Sequence, residues 1–74
     1  MTEQTFGEKA VGLSFNPSGD NLVHEIKRYF AAVIDVLHRE LVAVNSDEKY
    51  RMYSIAITDA QSAQMWAVKA ATWK

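Results

Sequence analysis

The sequence predicts an all-α protein: an antiparallel two-helix hairpin with an irregular N-terminal arm, assembled as a homo-oligomer. Three observations carry this prediction. Two long stretches place apolar residues at spacings of three and four, the repeat of one helix face. A short polar segment, NSDEK, separates them. Together the two stretches hold more apolar surface than two helices can hide against each other.

The arm comes first. Residues 1–17 show no sustained periodicity and contain two of the three glycines. They read as extended or irregular, with room for a short turn of helix. The arm ends in SFNPSGD, Ser14 to Asp20. Asn16-Pro17-Ser18-Gly19 reads as a turn, because Pro17 fixes its own φ and biases Asn16 to an extended conformation. Ser18 reads as the N-cap of the next helix, with Asp20 the alternative.

The first helix spans 18–44. Val23, Ile26, Phe30, Val33, Leu37, Leu41 and Val44 form its apolar face. Leu22, Tyr29, Ile34 and Val36 widen that face beyond a single seam. The second helix spans 47–72 and contains neither proline nor glycine. Asn45 or Ser46 caps it, and Asp47 and Glu48 suit the positive end of its dipole. The connection is short, so the helices pair antiparallel. Ala56, Ala60, Ala63, Ala67 and Ala70 alternate steps of four and three, a seam that lets helix backbones approach closely. The plainer reading of the same residues is that alanine is a good helix former.

Tyr50, Tyr53, Ile57, Trp66 and Trp73 cannot all face one partner helix together with the alanine seam. Assembly of several hairpins would bury the excess. An arm folded back over the hairpin is the alternative cover.

Bulk properties exclude several function classes. Seventy-four residues make a single domain, 1–74. There is no cysteine, and His24 and His38 stand apart without a ligand cluster, so no metal and no cofactor are expected. A formal net charge of −1 argues against a general DNA or RNA binder. No apolar run approaches the roughly 20 residues of a membrane span. The opening MTEQTFGEK has the pattern of neither a signal nor a transit peptide, so an intracellular location is expected. No phosphate loop, HExxH or nucleophile elbow is present, and the acid–base pairs one can draw, such as Asp35 with His38, read as solvated helix charges. An enzyme is not expected.

Two groups of residues invite a binding role. The first is the turn with the helix start behind it. Free N–H groups at a helix start attract anions. Lys27 lies behind that start, and helical side chains lean back toward the N-terminus. Phe15 offers a flat surface for a base, while Asp20 and Glu25 would repel a phosphate. A plain helix start with solvated charges explains the same stretch. The second group is Arg51, Ser54, Thr58 and Gln61, a polar strip at helical spacing that serves either as a solvent stripe or as the lining of a shared pocket.

The stretches VGLSFNPSGDNLVHEIK, AAVIDVL and RMYSIAITDAQSAQMWAVKAAT, in that order and spacing, resemble a family of phage cyclic-nucleotide sponges. This is the second anti-CBASS family, whose hairpin is similar to the helical part of the first Thoeris anti-defence proteins. The resemblance implies a compact hexamer in the cytoplasm of an infected bacterium. Such a hexamer binds cyclic dinucleotides, and in some members cyclic trinucleotides, between protomers and holds them without cleavage. It implies that Lys27 meets phosphate, and that Arg51 and Thr58 match recurring polar positions of the second helix. Where other members carry Gly-Tyr-Arg, this chain has Gly12-Leu13-Ser14, so the stacking aromatic falls to Phe15 or, less directly, Phe6. The ligand-binding set is then Phe15, Asn16, Ser18, Lys27, Arg51 and Thr58. A small oligomeric module that docks on a host protein through its tryptophans is the rival reading.

Overall fold

A computed structural model describes residues 3–74; residues 1 and 2, the start of the predicted arm, lie outside the described residues. Three helices succeed one another: α1, Phe6–Val11; α2, Asn21–Ala43; and α3, Asp47–Thr72. No strand occurs among the described residues.

The arm, read as irregular with room for a short turn of helix, holds a six-residue helix. Thr5 and Glu8 form a capping box. The Thr5 hydroxyl accepts from the Glu8 N–H at 3.1 Å, and the Thr5 N–H donates to the Glu8 carboxylate at 2.8 Å. Gly12 ends the helix at φ 63°, the left-handed conformation that glycine reaches without a Cβ penalty. The Leu13 N–H then closes back on the Glu8 carbonyl at 2.9 Å.

A turn carries the chain into α2. The Gly19 N–H donates to the Asn16 carbonyl at 3.0 Å, with Pro17 second and Gly19 fourth in the turn. The helix starts three residues later than the sequence suggests. Asp20 is the cap, accepting from the N–H groups of Leu22 at 2.8 Å and Val23 at 3.2 Å, and Ser18 stands exposed before it. An aspartate here sits at the positive helix end, where its charge adds to the capping bonds. At the other end of the hairpin the cap of α3 is Ser46, whose hydroxyl faces the Lys49 N–H.

The face of α2 that is buried is turned from the predicted one. Val23, Lys27, Ala31 and Ile34 lie deepest, while Val33 is exposed. The cause is that α2 is covered from two sides. On one side α1 lies against it, and on the other α3 does. Ile34 is the only residue of this line with no exposure at all, and it forms the core with Val11, Ala31 and Ile57. Its predicted place was a flank. On α3, Ile57 and Gln64 face inward; Ala56, Ala60 and Ala67 are half-buried, and Ala63 and Ala70 are exposed.

The arm therefore folds back over the hairpin, yet it does not cover the surplus. The Cα positions fill a slab of 44 × 31 × 12 Å. Tyr29, Val33, Ile55, Met65, Trp66 and Trp73 remain exposed on it. No helix among the described residues is long and apolar enough to cross a membrane.

Candidate functional site

The N-terminal group of predicted residues meets around one ammonium. Lys27 is 6% exposed, and its Nζ donates to the Gly12 carbonyl at 3.0 Å and to the Phe15 carbonyl. The same Nζ lies 5.5 Å from the centre of the Phe15 ring. Lys27 thus leans back along α2, as its helical geometry requires. Its target is not the helix start but the turn after α1, where Gly12 and Phe15 present their carbonyls. Two of the free N–H groups expected at the helix start, those of Leu22 and Val23, are instead taken by the Asp20 carboxylate.

This ammonium has no carboxylate partner among the described residues; the ion pairs there are Arg39–Glu40 and Arg51–Glu48. A buried charge without a counter-charge is costly unless its hydrogen bonds are met. Lysine has three donors, and two are used by the carbonyls. Lys27 also lines a hollow of about 480 Å³, together with Gly12, Phe15, Gln64, Met65 and Val68. The size falls within the roughly 300–1,000 Å³ of small-molecule sites. Phe15 is 72% exposed, so its ring is open to a flat partner.

Asn16 and Ser18 hold different positions. The Asn16 amide is engaged at both ends by Asp20: Nδ2 donates to the Asp20 carbonyl at 2.8 Å, and Oδ1 accepts from its N–H at 3.2 Å. Asn16 shapes the turn. It also lines a second hollow with Ser14, Gly19, Asp20 and His24. Ser18 is exposed at the tip of the turn.

Arg51 and Thr58 are not brought to Lys27 within one chain. They line a separate hollow of about 380 Å³ with Ser54, Ile55 and Asp59. Arg51 is paired with Glu48, its Nε 2.8 Å from the carboxylate. The Thr58 hydroxyl donates back to the Ser54 carbonyl at 3.1 Å. Thirteen positions separate Arg51 from Gln64, about 20 Å along a helix. Phe6 lies elsewhere again, stacked on His38 with ring centres 3.9 Å apart.

Gln64 is a residue that the sequence pattern did not single out. Only 5% of it is exposed, and its amide has no hydrogen-bond partner among the described residues. No polar atom of it is sealed from solvent either. Gln64 lines the same hollow as Lys27 and Phe15. A signal was available: Gln64 lies seven residues after Ile57, which puts a polar side chain on the inward face of α3.

Among the described residues no group of three or more His, Cys, Asp or Glu side chains is placed to hold a metal. Fold and hollow together define a small helical hairpin with a covering arm and a basic, aromatic-flanked recess. Comparison with known families identifies its kind. The profile of the family described as Acb2/Tad1, hairpin domain, matches residues 8–72, and the chain belongs to that family, the anti-CBASS and anti-Thoeris sponges. No curated protein and no solved structure matches the chain.

Proposed function

We propose that the protein is a phage anti-defence sponge. It binds cyclic oligonucleotide second messengers, cyclic dinucleotides or trinucleotides, and sequesters them without cleaving them. Bacterial CBASS-type immune signalling then fails for want of its messenger. Family membership supplies the class. The observation that carries the reading to this chain is the buried Lys27 ammonium, which has no carboxylate partner among the described residues and lines a hollow beside an open aromatic ring. A phosphate is the counter-charge it is missing, and Phe15 offers the stacking surface for a base.

Sequestration needs affinity and no chemistry, so no catalytic group is assigned. The exposed Tyr29, Met65, Trp66 and Trp73 favour assembly into a homo-oligomer, which we take to be a hexamer. In such an assembly the Arg51 and Thr58 hollow of one protomer would face a neighbour. That arrangement gives this hollow a role in a second ligand site distinct from the Lys27 recess. The host cytoplasm is where such a ligand is found.

Titration calorimetry tests the reading. Cyclic di- and trinucleotides should bind tightly, linear dinucleotides should not, and the ligand should be recovered intact after denaturing the complex. Absence of binding across the cyclic panel would overturn it and move the function to a protein partner docked on Trp66 and Trp73.

A further inference from the structure

We infer that Gln64 reads the edge of a base held in the Lys27 recess and that it selects adenine. The inference rests on the sponge reading and names the specificity of that same site. Its basis is a residue only 5% exposed, whose amide has no partner among the described residues and which lines the hollow shared with Lys27 and Phe15.

A polar side chain this deeply placed is uncommon, and its amide, which is not sealed from solvent, is free to meet a ligand. Helix α3 tolerates any residue of good helix propensity at the position, and an apolar one would extend the core formed by Ile57 and Val11. The polar group is explained if a ligand completes it. A primary amide carries one acceptor and two donors, and it matches an edge that offers an adjacent donor and acceptor. Adenine presents such an edge in its N6 amino group and N7, the pairing that glutamine makes with this base. Guanine presents two acceptors, O6 and N7, at the same edge. The Gln64 carbonyl would then meet an acceptor instead of a donor. The selection therefore requires that the N7 edge of the base faces Gln64.

The three groups divide the work by chemistry. Lys27 takes phosphate charge, the Phe15 ring takes the face of the base, and Gln64 takes its edge. Met65 and Val68 supply the apolar wall beside it.

The test uses the full chain and two probes, cyclic di-adenosine monophosphate and cyclic di-guanosine monophosphate. The wild-type protein should bind the adenine probe more tightly. Gln64→Leu should weaken that probe about 10- to 100-fold and leave the guanine probe within a few-fold, flattening the ratio. Gln64→Glu keeps the shape but removes the donors, and it should lose the adenine preference as well. Should Gln64→Leu fail to fold, Gln64→Glu carries the comparison. The Gln64 side-chain amide resonances of the wild-type protein should also shift on titration with the adenine probe. An unchanged ratio in the folded variants, or unmoved amide resonances in the bound state, overturns the base-reading role and leaves the sponge reading in place. A wild-type protein that binds neither these probes nor the wider cyclic panel overturns both.

Discussion

Gly7 and Ala31 touch backbone to backbone: a Cβ built on Gly7 would stand 2.1 Å from the Ala31 carbonyl oxygen. That contact sets how closely α1 lies on α2. It also explains why a six-residue helix, too short to persist alone, has a fixed place. Gly7→Ala should therefore lift the arm. The expected loss is about 1–3 kcal/mol, the usual cost of overpacking. Urea denaturation checks it, and a midpoint equal to wild type would show that the arm does not stabilise the chain.

The same arm is latched by one carboxylate. Asp35 accepts from the Gly7 N–H at 2.7 Å and from the Thr5 hydroxyl at 2.8 Å. Asp35→Ala removes both bonds and should cost about 1–3 kcal/mol. Because Gly7 and Asp35 act on one docking event, the double variant should cost less than the two single losses together. Full additivity in the denaturation curves would mean that the two residues act independently.

Lys27 has two roles that can be separated. It ties the Gly12 and Phe15 carbonyls, and it borders the recess. Lys27→Met should lower stability by about 1.5–3 kcal/mol, the range of a hydrogen bond to a charged group, and should also abolish cyclic-nucleotide binding. Thermal melting reads the first effect and calorimetry the second. Normal ligand binding by a folded Lys27→Met protein would remove Lys27 from the phosphate contact.

The helices were legible because they are long. Asp47–Thr72 has no internal breaker, and its cap was one of two adjacent polar residues. Helix α1 was legible only as room for a short turn, since six residues carry no measurable periodicity. Its capping box, Thr5 with Glu8, was nevertheless present in the sequence as a threonine with a glutamate three residues later. The buried face of α2 was misread for a related reason. Periodicity assigns a helix one buried direction, and α2 is covered from two sides. Its deepest line, between α1 and α3, therefore includes Lys27 and Ala31, which a hydrophobic count passes over. The residues of the candidate site were only partly legible. Lys27 and Phe15 could be named from spacing, but their meeting depends on the fold of the 12–16 turn, and Gln64 depends on the register of α3 against α2.

The cap of α2 offers a direct comparison of two neighbouring residues. Asp20 holds two helix N–H groups and Ser18 holds none among the described residues. Asp20→Ala should cost about 1 kcal/mol. Ser18→Ala, an exposed change, should stay within about 0.5 kcal/mol of wild type. The reverse order in thermal melts would return the cap to Ser18.

Ala63 offers a way to test the proposed assembly apart from the fold of one chain. It belongs to the alanine series on α3, but unlike Ala60 it is exposed in the single chain. A leucine there has room within the hairpin and should leave the helical circular dichroism spectrum unchanged. Between protomers the same side chain would hold two helices apart, at an overpacking cost of about 1–3 kcal/mol for each contact it enters. In a symmetric oligomer that cost repeats at every equivalent interface. Ala63→Leu should therefore shift the mass measured by light scattering toward smaller species at micromolar concentration. It should also weaken any ligand held between subunits, because binding and assembly are linked by mass action. An unchanged mass would show that the alanine series on α3 is not an interface.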